Sequence, residues 1–261
     1  MNLKIEIIGL PGSGKTYFYD YLNKVIKKKK INYIQAKSLK DLFLLKYKKK
    51  QTNISTIKKL FYSLYIKKVQ IKSNYIFKEE YKDLNLFLKK NLTKIAGYKK
   101  LASLYKNYVN TTNYTKERKF RMFKNFEIDF LGNKLLNSKY NFNIFDEGFF
   151  QKIFFKFENT DNFEFSFKKQ IDYLRLSPKP DLIFFIDTNI KTCLERAKTR
   201  SGGFIYNDNF IKKSKKNYFY ESIINFSKLQ KIPIIRLNGA SSVTDNLKIF
   251  FKTIKNYKNY K

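Results

Sequence analysis

The stretch Gly9-Leu10-Pro11-Gly12-Ser13-Gly14-Lys15-Thr16 decides the reading of this chain. It follows the apolar run Leu3 to Ile8 and opens a helical pattern. Its spacing is that of a phosphate-binding loop, G-x-x-x-x-G-K-[ST]. A strand ends, glycines let the backbone take angles that other residues resist, and successive N–H groups turn toward phosphate oxygens. The helix starting near Lys15 adds the positive end of its dipole at the same point. Lys15 is expected to reach the β- and γ-phosphates as a flexible point charge, and the Thr16 hydroxyl to take one position on Mg²⁺. Gly9, Pro11, Gly12, Ser13, Gly14, Lys15 and Thr16 are therefore the expected nucleotide-binding residues.

Working outward, Leu3 to Ile8 suits a buried central strand of a parallel sheet. Thr16 to Lys30 carries Tyr17, Tyr21, Leu22, Val25 and Ile26 at helical spacing, with Lys27 to Lys30 complementing its C-terminal end. Ile31 to Ala36 is expected as a second strand, making the first unit βαβ and right-handed. Residues 38–138 read as helical, with polar breaks near Thr52-Asn53, Ser73-Asn74, Asn91 and Asn110 to Thr115. That length far exceeds one crossover helix. The expected division is thus a core of 1–37 and 139–261 with a helical insertion of 38–138, a cap or acceptor-binding region.

Phe142-Asn143-Ile144-Phe145-Asp146-Glu147-Gly148 reads as the next core strand, ending in two carboxylates at the edge where open α/β sheets bind ligands. Asp146 is the expected Walker B carboxylate, orienting Mg²⁺ directly or through water. Glu147 is expected behind it, or as a base on the acceptor side. The competing reading makes the pair a cap for a helix beginning at Phe149. Pro180 to Asp187 is a fourth strand, followed by a helix with Cys193, Leu194, Glu195, Arg196 and Arg200. A helix to Gln230, a fifth strand from Ile232 to Leu237 and a helix from Val243 to Tyr257 complete the pattern.

Composition bounds the chemistry. The 261 residues hold a single cysteine and no histidine, which excludes an internal disulfide framework, a His- or Cys-rich zinc site and a Ser-His-Asp triad. A reduced, cytoplasmic protein is expected, without a secretory leader or a membrane span. The formal net charge of +34 accompanies abundant Lys, Asn, Ile, Phe and Tyr, all served by A/T-rich codons, so coding bias explains it at least as well as a polyanion partner does. Such a surface still attracts nonspecific nucleic acid in a salt-dependent way. A homodimer through the insertion is compatible with the sequence.

The phosphate loop, the strand ending in Asp146-Glu147, Pro180-Asp181-Leu182-Ile183-Phe184-Phe185-Ile186-Asp187 and then Leu194-Glu195-Arg196 and Arg200 together resemble the thymidylate-kinase-like group of nucleoside and nucleotide kinases. The resemblance covers about 1–36 and 140–257. It implies a five-stranded parallel sheet in the order 2-3-1-4-5 flanked by helices, with Arg196 and Arg200 as lid-region arginines over the donor phosphates and Gly202-Gly203 permitting lid movement. It also implies ATP and Mg²⁺ as cofactors and phosphoryl transfer to a small-molecule acceptor. The chain departs from the group on the acceptor side. Those kinases carry Asp-Arg or Glu-Arg where this one has Asp146-Glu147, and Gln35-Ala36-Lys37-Ser38 replaces their signature after strand 2.

Arginine usage supplies a separate argument. In a chain that overwhelmingly prefers lysine, Arg196 and Arg200 lie four apart on one helical face, and Arg118 and Arg121 three apart in the insertion. A planar fork binds phosphate in a way that an ammonium does not. The first pair is expected to face ATP; Arg118 and Arg121 are read first as ordinary surface arginines or a Glu-Arg helix pair, with contact to the acceptor as the alternative. A reading from another class is a P-loop NTPase that grips nucleic acid or acts as a regulatory switch.

Overall fold

The computed structural model describes residues 2–39, 41–43, 86–111, 115–134, 136, 140–153, 163–198 and 219–259. These fall into two compact units, one of 1–38 with 137–261 and one of 39–136.

The first unit is built on a five-stranded parallel sheet in the order β2-β3-β1-β4-β5, as the sequence implied. The strands are β1 (Leu3–Gly9), β2 (Ile34–Ala36), β3 (Phe142–Phe145), β4 (Leu182–Asp187) and β5 (Ile234–Asn238). β1 is central, pairing Glu6 with Phe145 of β3 on one side and Gly9 with Ile186 of β4 on the other. Alternation along the strands separates two faces. Leu3, Ile5 and Ile7, with Phe142, Ile144, Leu182, Phe184 and Ile186, point into one core with Leu22 and Ile26 of α1 (Lys15–Lys28) and Phe250 and Ile254 of α7 (Val243–Asn259). Each such aliphatic or aromatic side chain contributes about 1.5–3 kcal/mol on burial. The other face carries a polar row: Gln35 pairs with Asn143, which pairs with Lys4, and Glu6 lies one step further along β1. Gln35, Asn143 and Glu6 are all buried. Phe150 in the segment after β3 meets Phe226 of α6 (Phe219–Leu229), with ring centroids 6.0 Å apart. Ser222 of α6 donates to Gln170 of α4 (Phe163–Leu176) at 3.1 Å in the interior.

β3 ends at Phe145 and β4 begins at Leu182, each shorter than expected, and at two further boundaries the reason for the difference is local. Strand β2 begins at Ile34 rather than Ile31, because α1 closes in a left-handed turn. Lys30 has φ +49°, its N–H donates to the Lys27 carbonyl at 3.2 Å, and the Ile31 N–H reaches back to the Ile26 carbonyl at 3.0 Å. That is the double bond of a Schellman motif, with Ile31 folded onto the core beside Ile26. The end of α6 repeats it: Lys231 has φ +54°, and the Ile232 N–H bonds the Ser227 carbonyl at 2.8 Å, so β5 starts at Ile234. Phe149, where the competing reading of Asp146-Glu147 starts a helix, lies in a turn over 149–152. The closing helix α7 is capped reciprocally, Ser242 donating to the Asp245 carboxylate at 2.7 Å and accepting from its N–H at 3.1 Å.

The second unit has α2 (Tyr98–Thr111) packed on α3 (Lys116–Lys134). Tyr105 lies on Phe126 with centroids 4.6 Å apart, and Tyr98 on Phe130 at 5.4 Å. The Tyr98 hydroxyl donates to Glu127 at 2.6 Å, and Lys124 neutralises the same carboxylate at 2.5 Å. Burial and that carboxylate both push the Tyr98 hydroxyl well above its ordinary range. The expected breaks at Thr52-Asn53 and Ser73-Asn74 lie outside the described residues. No described helix is long and apolar enough to cross a membrane.

Candidate functional site: the phosphate loop and its supports

β1 delivers Gly9 to the C-terminal edge of the sheet, where the chain turns through 11–14 into α1. The turn depends on Gly12 (φ +83°) and Gly14 (φ +91°), angles that an L side chain resists. At Gly12 space decides as well: a Cβ there would lie 2.1 Å from the Cys193 carbonyl oxygen of α5 (Ile190–Lys198). Gly14 takes the N-cap position without a side-chain hydrogen bond, and its carbonyl accepts the Phe18 N–H at 2.9 Å. The first amides of α1 are left to bind a ligand, as an anion cradle requires. Ser13 is fully buried, its N–H bonds the Leu10 carbonyl at 2.9 Å, and its carbonyl accepts from the Thr188 hydroxyl just past β4 at 2.9 Å.

Lys15 and Thr16 occupy the first turn of α1, both partly exposed at the mouth of the loop. Arg196 of α5 lies beside the turn, its guanidinium Nη1 3.6 Å from where a Cβ on Gly14 would be. Asp146 follows the last residue of β3 and is half-buried, whereas Glu147 is exposed. Desolvation, with a smaller contribution from Glu147, raises the Asp146 carboxyl above its ordinary range, and the nearby Lys15 ammonium opposes this. Lys15 is thus within electrostatic reach of Asp146, and Arg196 lies beside Gly14. Arg200 and Gly202-Gly203 lie outside the described residues, as do the side chains of Arg118 and Arg121. Among the described residues no three His, Cys, Asp or Glu side chains cluster into a metal cage. The Thr16 hydroxyl and Asp146 carboxylate are oxygen donors, the type a hard cation shared with phosphates takes.

Two residues absent from the sequence expectations underpin the loop. Glu6, in the middle of β1, is 2% exposed, and its Oε1 accepts the backbone N–H of Gln151 at 2.6 Å. Burial pushes its carboxyl up to about 7, against the opposing influence of the Gln151 and Phe150 amides, Lys152 and Lys15. The Gln151 side chain then brackets Gly9: its Oε1 accepts the Gly9 N–H at 2.8 Å and its Nε2 donates to the Gly9 carbonyl at 3.1 Å. Gly148 makes room for this arrangement, because a Cβ there would fall 2.3 Å from the Glu6 carboxyl carbon. The available signal was Glu6 itself, a charge interrupting an otherwise apolar parallel strand.

A second hollow, of about 290 Å³, opens beside the loop at the end of β4, lined by Leu10, Phe185, Ile186, Asp187, Thr188, Asn189 and Ile190. Asp187 at its rim pairs with Arg236 of β5 at 3.6 Å, an exposed ion pair of little energetic weight.

No family model matches the chain. A curated relative, Protein Ycf2 of Physcomitrium patens, is 25% identical over 275 residues, covering 96% of this chain but only 12% of that much longer protein. Among solved structures, a thymidylate kinase from Candida albicans superposes with a TM-score of 0.50 at 13% identity, covering 100% of this chain and 94% of the other. A deoxyadenosine kinase from M. mycoides with bound dCTP gives a TM-score of 0.44 at 16% identity over 97% of this chain and 100% of that one. In its strand order and in the superposition with that thymidylate kinase, the chain shows an α/β fold with a five-stranded parallel sheet flanked by helices.

Proposed function

We propose that the protein is an ATP-dependent phosphotransferase that moves the γ-phosphoryl group of MgATP to a small-molecule acceptor. The observation that carries this reading is a left-handed glycine turn whose helix amides are free of side-chain caps, with Arg196 beside Gly14; the electrostatic influence of Lys15 on Asp146 supports it. Phosphoryl transfer asks little covalent chemistry of a protein and much alignment and charge neutralisation. The amides from Gly12 to Thr16 cradle phosphate oxygens, Lys15 neutralises the β- and γ-phosphates, and Arg196, with Arg200, covers the moving group with planar donors. Thr16 and Asp146 would hold Mg²⁺, which when bound would supply neutralisation of the triphosphate's charge. For a hydroxyl acceptor, Asp146 or Glu147 receives the proton; for a phosphate acceptor no base is needed. The insertion of 38–138 is the candidate cap or acceptor-binding region, and Arg118 and Arg121 are its candidate acceptor contacts.

The test is ADP release against a panel of nucleosides, nucleotides and sugars. Acceptor-dependent turnover should fall by roughly 10²-fold or more in Lys15→Ala. Turnover that survives this substitution refutes the proposal. The net charge of +34 favours one other reading, an NTPase stimulated by nucleic acid. It predicts RNA- or DNA-dependent hydrolysis without an acceptor, and binding that persists at physiological salt.

A further inference from the structure

We infer that Gln151 and Glu6 are positioning residues that fasten the first residue of the phosphate loop to the segment following Asp146. The reason lies in the sheet register. β3 pairs with β1 only as far as Phe145 opposite Glu6, whereas β1 continues to Gly9. Beyond Glu6 the β3 side of β1 has no strand beside it, and Gly9 is buried. An unpaired buried N–H and C=O there would each carry a desolvation cost. The Gln151 side-chain amide takes over the missing strand's role, accepting from the Gly9 N–H at 2.8 Å and donating to its carbonyl at 3.1 Å. A primary amide offers both an acceptor and a donor in one plane whatever the pH, which a carboxyl does only while protonated.

Gln151 is itself held, because its backbone N–H donates to the Glu6 carboxylate at 2.6 Å. Gly148, two residues after Asp146, is kept without a side chain by that same carboxylate. Two distant parts of the chain, the glycine turn and the acidic strand tip, are thereby joined through one buried carboxyl and one amide. Groups that must meet the same triphosphate then hold a fixed separation before it arrives. This rests on the phosphotransferase reading, in which both parts serve one nucleotide.

The experiment measures the affinity of a fluorescent ADP analogue with Mg²⁺ for wild type, Lys15→Ala, Gln151→Glu and Glu6→Gln, with thermal unfolding alongside. Gln151→Glu is nearly isosteric, but when ionised it offers no donor to the Gly9 carbonyl. Its Kd should exceed that of wild type by about tenfold at pH 8. The ratio should fall toward one in mild acid, where the new carboxyl regains a proton to donate. The charged groups facing this position are Glu6 from β1, Lys15 from α1 and Lys152 from its own segment. A purely structural role would leave the ratio independent of pH. Glu6→Gln keeps the acceptor for the Gln151 N–H and should stay within about twofold of wild type.

A folded Gln151→Glu that binds like wild type at every pH overturns the inference and leaves the phosphotransferase reading standing. Wild type that fails to bind, or binds no better than Lys15→Ala, overturns both. Should Gln151→Glu not fold, hydrogen exchange on wild type decides: the Gly9 amide is expected to exchange slowly, and rapid exchange in the folded protein refutes the bracket.

Discussion

Replacing Glu6 by glutamine should make the protein more stable at neutral and alkaline pH and leave it nearly unchanged in acid. Glu6 is 2% exposed, and its carboxyl is pushed up to about 7 from an ordinary 4.5. Between those values the unfolded chain has released the proton that the folded chain still holds, so stability falls as pH rises through the window from 4.5 to about 7. At about 1.4 kcal/mol per pH unit, the accumulated loss is about 3 kcal/mol at pH 8. Glutamine has the shape of the protonated acid, keeps an acceptor for the Gln151 N–H and does not titrate. The gain should therefore be near zero at pH 4, grow across the window and level off above it. For a unit of this size, about 3 kcal/mol corresponds to roughly 6–12 °C in Tm. Differential scanning calorimetry of both proteins at half-unit intervals from pH 4 to 8.5 reads this directly. A difference that does not change with pH refutes the reasoning. So does a Glu6→Gln protein less stable than wild type at pH 8, which would mean that Lys15 and Lys152 outweigh desolvation.

Further substitutions probe the loop and its supports. Gly12→Ala places a Cβ 2.1 Å from the Cys193 carbonyl at φ +83° and should cost about 2–4 kcal/mol, lowering Tm and abolishing nucleotide binding together. Gly148→Ala drives a methyl group onto the Glu6 carboxyl, 2.3 Å away, and should cost about 1–3 kcal/mol; adding Glu6→Ala should recover part of that loss, and strict additivity in the cycle would refute the contact. Burial raises the Cys193 thiol to about 11, so iodoacetamide at pH 8 should leave the native protein unlabelled and label it once unfolded.

The phosphate loop was legible because its function constrains residue types at fixed spacing. Strand order followed from resemblance, the periodicity alone giving only the strands. The starts of β2 and β5 were misread for one shared reason. Ile31 and Ile232 look like strand residues, yet each is the apolar plug of a helix terminus whose left-handed position is held by lysine, where glycine is the usual marker. Gln151 was illegible for a different reason. Its role depends on where β3 stops relative to β1, a register that exists only once residues 139 apart in sequence, such as Glu6 and Phe145, are side by side. Glu6 was visible but undervalued, since a lone charge within an apolar run carries no partner until the fold brings Gln151 to it.

The left-handed lysines have a wider consequence. Setting a lysine rather than a glycine at φ near +50° carries a penalty of about 1 kcal/mol, which this chain tolerates at both helix ends. Among the nine glycines in 261 residues, some remain where only torsion is at stake: Gly97 at φ +80° has nothing within 4 Å of a Cβ, and Gly14 at φ +91° has only an ordinary contact at 3.6 Å. Where glycine stands beside Cys193 and Glu6, the obstacle is an atom already occupying the space, which no rotation relieves. The glycines beside Cys193, Glu6, Leu39 and Thr188 thus mark spots where a neighbouring atom leaves no room for a Cβ, whereas Gly14 and Gly97 mark spots where the left-handed angle alone is at stake.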